Sequence, residues 1–209
     1  MISTCITAVS VPLHLLAEKR DGPAAVRTAT KALASLGFVG AAVAAGAGGS
    51  PFGRLILTGL VLSLAGDLFL LSRARKQFLA GIAGFLLAQL AYVTAFLVHG
   101  ADALILAGSA VAVLITGICV FRWLEPHIPR DMLGPVIAYI VVISAMVAAA
   151  FGAAGQSAPF RLPLGAALFY ISDLAVARDR FIKKDFRNRV AGLPLYYAGQ
   201  LLIASCAGI

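Results

Sequence analysis

Long apolar runs separated by short polar segments account for most of this 209-residue chain. Eight runs can be marked by their length and by the near absence of charged residues, which is the pattern of membrane-spanning helices. They cover residues 2–17, 32–47, 55–71, 78–98, 103–121, 133–151, 162–177 and 191–207. The pattern predicts an all-α, polytopic membrane helix bundle of about eight transmembrane helices, with residues 1–209 forming a single transmembrane helical domain.

Composition supports a membrane protein, and the placement of the charges argues against a nucleic-acid-binding protein. Hydrophobic residues make up 61% of the chain and charged residues only 12%, whereas a soluble domain carries about a quarter charged residues. The net charge of +8 would suggest a nucleic-acid partner, but the basic residues fall at the ends of the apolar runs, where they determine topology. We therefore expect membrane lipids around the chain and no nucleic-acid partner.

The basic residues are divided very unevenly between the loops. Fifteen of the 17 Lys and Arg residues lie in the first, third, fifth and seventh loops, and only Arg54 and Arg161 lie in the others. Since cytoplasmic loops are enriched in Lys and Arg, the pattern predicts that these four loops are cytoplasmic and that both termini are outside. We expect an integral, multi-pass protein of a bacterial inner (plasma) membrane.

Two carboxylates interrupt the apolar runs at corresponding places. Asp67 lies in the third run, six residues before Arg73, and Asp173 lies in the seventh run, five residues before Arg178. At a rise of about 1.5 Å per residue, both lie roughly 8–9 Å inside the cytoplasmic boundary. A charged side chain within a membrane-spanning helix costs at least about 2.5 kcal/mol and marks a functional site by default. We expect the two carboxylates to share one cavity that opens to the cytoplasm.

The sequence after each aspartate also repeats. In both places a basic loop and a Gly-rich segment lead into a run that carries Gln beside Tyr, namely Gln89 with Tyr92, and Gln200 with Tyr196 and Tyr197. A repeat four helices apart keeps the same orientation, so the pattern is compatible with a 4 + 4 parallel duplication about an axis along the membrane normal. Chance similarity within a small apolar alphabet is the alternative.

Paired aspartates in an apolar bundle suit general acid–base chemistry. We expect no basic residue at their depth, so that desolvation and mutual repulsion keep one carboxylate protonated while the other is ionised. One residue type then supplies both the acid and the base of a hydrolysis. The alternative is that each aspartate only joins helices through hydrogen bonds.

Other polar side chains in or near the apolar runs are candidates for substrate binding: Lys31, Gln89, Tyr92, Tyr196, Tyr197 and Gln200. The Tyr and Gln side chains would orient a head group or a water molecule, and they are equally typical of hydrogen bonds between packed helices. Lys31 and Arg27 would hold a phosphate, although Lys at a helix end also extends toward lipid phosphates. The sequence leaves both interpretations open.

Other site chemistries find little support in the sequence. The histidines, His14, His99 and His127, are expected at loops or at the ends of runs, where they complete neither a catalytic triad nor a metal site. We therefore expect no metal and no cofactor. A proton-coupled transporter or a lipid-binding membrane protein is the alternative, since paired intramembrane carboxylates and a duplicated bundle also describe carriers. Nothing in the sequence indicates the oligomeric state.

The motifs around the aspartates resemble those of a known family. Residues 63–68 (SLAGDL), 78–92 (FLAGIAGFLLAQLAY), 165–175 (GAALFYISDLA) and 195–204 (LYYAGQLLIA) are similar to motifs of the YhhN-like lysoplasmalogenase membrane proteins. The resemblance implies hydrolysis of the vinyl-ether bond of a lysoplasmalogen, a lysophospholipid substrate, to a fatty aldehyde and a glycerophospho head group. It also implies that Asp67 and Asp173 are catalytic, since they match the family's two acidic motif positions.

The chain departs from the family pattern at three places. Lys31 is followed by Ala32 where the family has a lysine–proline pair, and Gln89 and Gln200 stand where some members have His. These departures concern contacts with the substrate and not the fold.

Overall fold

The structure is a computed structural model that describes residues 2–72 and 74–209. Arg73, one of the basic residues in the predicted third loop, lies outside the described residues. The described chain is all-α, as predicted, and contains eight α-helices: α1 (Ile2–Lys19), α2 (Ala24–Ala44), α3 (Pro51–Phe69), α4 (Arg75–His99), α5 (Ala103–Leu124), α6 (Leu133–Gln156), α7 (Arg161–Ala177) and α8 (Phe186–Ala204). Two short 3-10 turns connect α5 to α6, and a π turn, Arg178–Ile182, continues α7.

Four of the described helices are long and apolar enough to cross a membrane: α3, α4, α5 extended to His127, and α6 extended back to Arg130. The other four are shorter or more polar. For example, α7 has only 17 residues before its π turn, and α2 and α8 carry basic residues near their starts. Length and apolarity alone therefore identify half of the predicted spans in the described chain.

Helix α2 begins earlier than the hydropathy pattern predicts. Its first residue is Ala24, eight residues before the predicted start, so that Arg27 and Lys31 lie on the helix and not in a loop. Ala, Arg and Lys are strong helix formers. Pro23, immediately before the helix, is tolerated because a backbone N–H at this position would have no partner within the helix. Long basic side chains can pack their stems on apolar neighbours and keep the charged group near water. The predicted loop thus supplies two basic residues to the bundle.

Each helix packs most extensively against a neighbour in sequence, giving the pairs α1–α2, α3–α4, α5–α6 and α7–α8. Contacts of α2 with α3 and of α6 with α7 join the pairs within each half of the chain. Contacts of α4 with α6 and of α8 with α2 join the two halves. Helix α5 packs mainly against α6 and leaves a broad apolar face exposed. The two halves therefore show nearly the same order of helix contacts.

Glycines bring the helices of two pairs unusually close. A Cβ atom on Gly84 of α4 would lie 3.2 Å from the Cα atom of Gly66 on α3. A Cβ atom on Gly199 of α8 would lie 2.7 Å from the carbonyl oxygen of Gly165 on α7. A larger side chain would push the backbones apart, as at other membrane helix crossings built from small residues. Asp67, next to Gly66, is therefore held where α3 and α4 meet.

Contacts between loops define the two ends of the bundle. At one end, Arg189 Nη1 near the start of α8 lies 2.9 Å from Glu18 Oε1 near the end of α1, close to the seventh and first loops. At the same end, Arg75 at the start of α4 forms an ion pair with Asp131, between α5 and α6. At the opposite end, the Ser50 hydroxyl before α3 donates to the carbonyl oxygen of Ile209 at 3.3 Å. The loops that carry most basic residues therefore lie together, away from the C-terminus.

Candidate active site

A cavity of about 550 Å³ extends into the bundle from the end that carries most basic residues. All eight helices and the π turn contribute side chains to its wall. Asp67 of α3 and Asp173 of α7 both line it, although they are 106 residues apart in the sequence. Apolar side chains of α4 and α6 form much of the remaining wall. The cavity therefore combines an apolar interior, two carboxylates and a basic entrance.

Asp67 is almost completely buried and has three donors around it. Its Oδ2 atom accepts hydrogen bonds from Ser35 Oγ at 2.7 Å and from Tyr196 Oη at 2.8 Å. Its Oδ1 atom lies 3.5 Å from the ammonium nitrogen of Lys31. A buried carboxylate needs such partners to carry a charge, because nothing else replaces its lost hydration. This environment is arranged for an ionised carboxylate.

A second layer of side chains positions these donors. The Tyr197 hydroxyl lies 3.2 Å from Ser35 Oγ, and since the Ser35 proton is used on the carboxylate, Tyr197 is the donor in this contact. The Tyr196 ring packs edge-to-face against Phe85 and Phe169, with centroid separations of 5.7 and 5.4 Å. Such contacts restrict the orientation of the ring. Packing from α4 and α7 thus aims the Tyr196 hydroxyl at the carboxylate.

The expectation that no basic residue lies at the depth of the aspartates is wrong. Lys31 is buried and extends from α2 to Asp67. The early start of α2 is the reason, because it places Lys31 one helical turn before Ser35 on the same face of the helix. Both side chains therefore reach one carboxylate. Lys31 is engaged by Asp67 and does not stand free at the entrance for a phosphate.

Asp173 has a simpler environment. It is half-buried, and its Oδ2 atom accepts a hydrogen bond from the Tyr139 hydroxyl of α6 at 2.7 Å. Among residues 2–72 and 74–209, no basic side chain forms an ion pair with it. Asp173 thus has one neutral donor where Asp67 has two hydroxyls and an ammonium group. A protonated carboxylic acid needs no counter-ion, so this environment suits the neutral form.

The structure brings some of the predicted substrate-binding residues to the cavity and leaves others in the core. Lys31 and Tyr196 line the cavity, and Tyr197 lies behind them. Three others lie outside the cavity wall and are fully buried: Gln89, Tyr92 and Gln200. The Tyr92 hydroxyl donates to Gln200 Oε1 at 2.8 Å, which joins α4 to α8. For Tyr92 and Gln200 this placement fits hydrogen bonding between packed helices better than contact with a ligand. Gln89 differs, because neither polar atom of its side chain has a hydrogen-bond partner among the described residues.

No sequence motif indicates the positions of Ser35 and Tyr139 beside the carboxylates or of His14 in the cavity wall. Ser35 carries one usable signal, since it follows Lys31 by four residues and therefore shares its helix face. Tyr139 lies in an apolar run with nothing that connects it to Asp173. The expectation that His14 lies at a loop or at the end of a run is wrong, because it is buried within α1 and lines the cavity, with Nδ1 3.0 Å from the carbonyl oxygen of Arg27.

The fold and the cavity define a class of protein: a helix bundle, with helices of membrane-spanning length, that holds two inequivalent carboxylates in an amphipathic cavity. Residues 26–207 match the YhhN family, and the chain belongs to this family. Both aspartates and Lys31 lie within the matched residues.

Relatives of this chain carry the name lysoplasmalogenase. The chain is 32% identical to the lysoplasmalogenase of Mycobacterium bovis over 200 residues, which cover 88% of this chain and 71% of the relative. It is 31% identical to lysoplasmalogenase TMEM86A of Bos taurus over 163 residues, which cover 75% of this chain and 66% of the relative. The chain thus spans about two thirds of the length of these curated relatives. No solved structure matches the chain.

Proposed function

We propose that this chain is a membrane-embedded hydrolase that cleaves the vinyl-ether bond of lysoplasmalogens to a fatty aldehyde and a glycerophospho head group. The observation that carries the proposal is the pair Asp67 and Asp173, which line one cavity with different hydrogen-bond partners. The names of the relatives supply the substrate class. A cavity with apolar walls and a basic entrance suits a single-chain phospholipid.

The proposed enzyme crosses the membrane eight times, with both termini outside and the cavity open to the cytoplasm. The collection of basic loops at one end of the bundle supports this orientation. The repeated order of helix contacts and the two glycine crossings support a 4 + 4 duplication. Four helices fall short of an ideal apolar span, which local thinning of the bilayer and tight packing would accommodate.

Hydrolysis begins with a proton transfer to carbon. The neutral carboxyl group of Asp173 gives its proton to the β-carbon of the vinyl ether and becomes a carboxylate. The π electrons of the double bond form the new C–H bond, and an oxocarbenium ion remains at the α-carbon and the ether oxygen. Tyr139 donates to Oδ2 of Asp173, so the proposal places the acidic proton on the other oxygen, Oδ1.

Asp67 stabilises the cation and activates water. Its carboxylate, held ionised by Lys31, Ser35 and Tyr196, lowers the energy of the oxocarbenium ion. Water adds to the α-carbon, its proton passes through the carboxylates to restore the neutral acid, and the resulting hemiacetal collapses to the aldehyde and a free glycerol hydroxyl. The overall reaction consumes one water molecule and returns both carboxylates to their starting states.

The remaining candidates act indirectly in this proposal. Tyr197 orients the Ser35 hydroxyl. Tyr92 and Gln200 hold α4 against α8 and thereby support the wall that carries Tyr196. Gln89 lies beside them in the core, and the proposal gives it no contact with the substrate.

The test is release of free aldehyde from a defined lysoplasmalogen by the purified chain in detergent. We expect Asp67→Asn and Asp173→Asn each to lower the rate by about 10²–10⁴-fold, because Asn can neither give up a carboxylic proton nor carry a negative charge. Asp102→Asn is the matched control. Asp102 accepts from the backbone N–H of Ile105 at the start of α5, far from the cavity wall, and Asn caps a helix equally well.

The same assay separates the proposed enzyme from a carrier or a purely structural pair. A carrier would release no aldehyde in its wild-type form, and its Asn variants would lose proton-driven uptake. Near-wild-type aldehyde release from either Asn variant would remove that aspartate from the mechanism, and from both variants would end the two-carboxylate proposal.

Membrane orientation has a separate test. A cysteine introduced after Ile209 should react with a membrane-impermeant thiol reagent added to intact cells, because the C-terminus is proposed to be outside. A Cys replacing Lys184 should be labelled only after the membrane is opened. The reverse pattern of labelling would refute the orientation and the proposed cytoplasmic access to the cavity.

A further inference from the structure

The wall of the cavity carries more basic side chains, six Lys and Arg residues, than acidic ones, which are Glu18, Asp67, Asp173 and Asp179. The basic side chains in the wall come from α2, the π turn, the segment that follows the π turn, and the start of α8: Arg27, Lys31, Arg180, Lys183, Lys184 and Arg189. Lys31 is paired with Asp67, and Arg189 is paired with Glu18 at 2.9 Å and with Asp179 at 3.7 Å. Within the described part of the chain, the other four form no ion pair. Four uncompensated cations therefore surround the entrance.

Arg180 is held in place by an aromatic contact. Its guanidinium carbon lies 3.9 Å from the centroid of the Phe78 ring, a cation–π contact between the π turn and the start of α4. The Phe181 ring meets the Phe78 ring at 6.3 Å, edge to face. Stacking uses the face of the guanidinium group and leaves the N–H donors in its plane free for a ligand. Arg180 is thus a preoriented donor at the cavity entrance.

Hydrogen bonds with the start of α8 fix the π turn. Arg178 Nη1 donates to Asn188 Oδ1 at 2.9 Å, and Asn188 Nδ2 donates to the carbonyl oxygen of Lys183 at 2.8 Å. Asp179 Oδ1 accepts from the backbone N–H of Asp185 at 3.0 Å. The rare π geometry is frequently found at functional sites. These contacts give the turn, and the guanidinium group on it, a defined position relative to the cavity.

We infer that the π turn and the two lysines that follow it form a phosphate subsite for the substrate head group, with Arg180 as a bidentate donor and Lys183 and Lys184 adding positive charge. The inference rests on the proposed function, because it takes the vinyl-ether bond to lie between the aspartates. Arg180 follows Asp173 by seven residues, about 10 Å along a helix. A glycerol phosphate spans a separation of this order between a carboxyl group and a guanidinium group. The ligand class is a phosphate ester of glycerol with a single long alkyl or alkenyl chain.

Binding can be measured without catalysis. A 1-O-alkyl-glycerol 3-phosphate has the chain and the phosphate but no vinyl-ether bond, and the matching 1-O-alkyl-glycerol lacks only the phosphate. We expect the purified full chain in a non-ionic detergent to bind the phosphate lipid about 10- to 100-fold more tightly, as charge-assisted bidentate hydrogen bonds predict. Inorganic phosphate alone tests for a free anion as the ligand, and it should bind far more weakly than the phosphate lipid.

Arg180→Gln should lower the affinity for the phosphate lipid about tenfold and leave that for the alkyl glycerol unchanged. Arg130→Gln is the matched control, since Arg130 is exposed at the same end of the bundle but lies outside the cavity wall. It should change neither affinity. In the aldehyde-release assay, Arg180→Gln should raise KM for a lysoplasmalogen with little change in kcat.

The outcomes separate this inference from the proposed function. Equal binding of the two lipids by the wild type, or an equal loss of both with Arg180→Gln, would overturn the phosphate subsite. Inorganic phosphate that binds as tightly as the lipid would overturn the assignment to a lipid head group. Phosphate-dependent binding without any aldehyde release from a lysoplasmalogen would reject the proposed hydrolysis and leave the phosphate subsite standing.

Discussion

Asp67 and Asp173 lie in matching motifs but in different surroundings. Asp67 is almost completely buried among an ammonium group and two hydroxyls, whereas Asp173 is half-buried beside one phenolic hydroxyl. In the proposed mechanism Asp67 therefore holds the charge and Asp173 holds the proton. A repeated motif therefore gives two chemically distinct groups when the neighbouring helices differ.

The difference arises in the helices that flank each aspartate. When Gln89 is placed in register with Gln200, Phe85 of α4 falls opposite Tyr196 of α8. The two rings are in contact, with centroids 5.7 Å apart, but only Tyr196 has a hydroxyl to offer a carboxylate. The two halves of the chain thus differ by a single hydroxyl oxygen at this position. Helices α2 and α6 also differ, because α2 supplies a cation to Asp67 whereas α6 supplies a neutral hydroxyl to Asp173.

Stability should separate the two aspartates most strongly. Asp67→Asn leaves the buried ammonium group of Lys31 without a counter-ion, so we expect the free energy of unfolding to fall by about 3 kcal/mol. Asp173→Asn replaces a neutral acid by a neutral amide of the same shape and should leave the free energy of unfolding unchanged. Thermal unfolding of the purified variants in one detergent measures both, and adding Lys31→Met to Asp67→Asn should recover most of the loss. Equal losses in the two Asn variants would contradict the assignment of charges.

Tyr139→Phe tests the single donor of Asp173. Removing one hydrogen bond to the acid should lower kcat about tenfold, while binding of the non-hydrolysable phosphate lipid stays unchanged. Tyr92→Phe is the variant for comparison: it removes the core hydrogen bond to Gln200, outside the cavity wall, so we expect a lower thermal stability and a smaller loss of kcat than in Tyr139→Phe. A Tyr139→Phe enzyme with the wild-type kcat would show that the hydroxyl does not position the acid.

Ser35→Ala should have the smallest effect. Asp67 keeps Lys31 and Tyr196 as partners, so we expect the rate of aldehyde release to fall only about threefold. Ser172→Ala is the control on the other side, because Ser172 is next to Asp173 in sequence but its hydroxyl donates to the backbone carbonyl of Phe169 at 2.7 Å. Similar losses in the two variants would mean that the two carboxylates do not differ in their dependence on neighbouring donors.

Local properties of the sequence were sufficient for the fold class and the family. A long apolar run predicts a helix because a helix satisfies all backbone hydrogen bonds within the run itself. Contiguous motifs such as residues 63–68 can be compared directly with those of a family. The all-α class is confirmed, with eight helices in the described chain, of which four are long and apolar enough to cross a membrane, and the family is confirmed by the YhhN match over residues 26–207. The ends of the helices were less predictable, since the charges of Arg27 and Lys31 suggested a loop where α2 has already begun.

The composition of the site could not be predicted in the same way. Ser35 and Tyr139 lie in segments whose sequences carry no motif, and Lys31 was identified only as a candidate for binding a phosphate. The importance of all three comes from which carboxylate each one faces. Contacts of this kind depend on the rotation and depth of helices that are far apart in the sequence. The wrong expectation about basic residues near the aspartates follows from this limit, because hydropathy assigns a lysine to water unless a partner is known.

The sequence by itself determined the helices, the placement of both carboxylates within apolar runs and the segregation of basic loops, because each depends only on residues that are near one another in the chain. The shared cavity of Asp67 and Asp173 was expected from their matching depths, but the tertiary structure alone decided that Asp67 receives a cation while Asp173 pairs with none in the described part of the chain. The physical reason is that the state of a buried carboxylate is set by the few donors within hydrogen-bond distance, and packing between α2, α3, α6, α7 and α8 determines which donors those are.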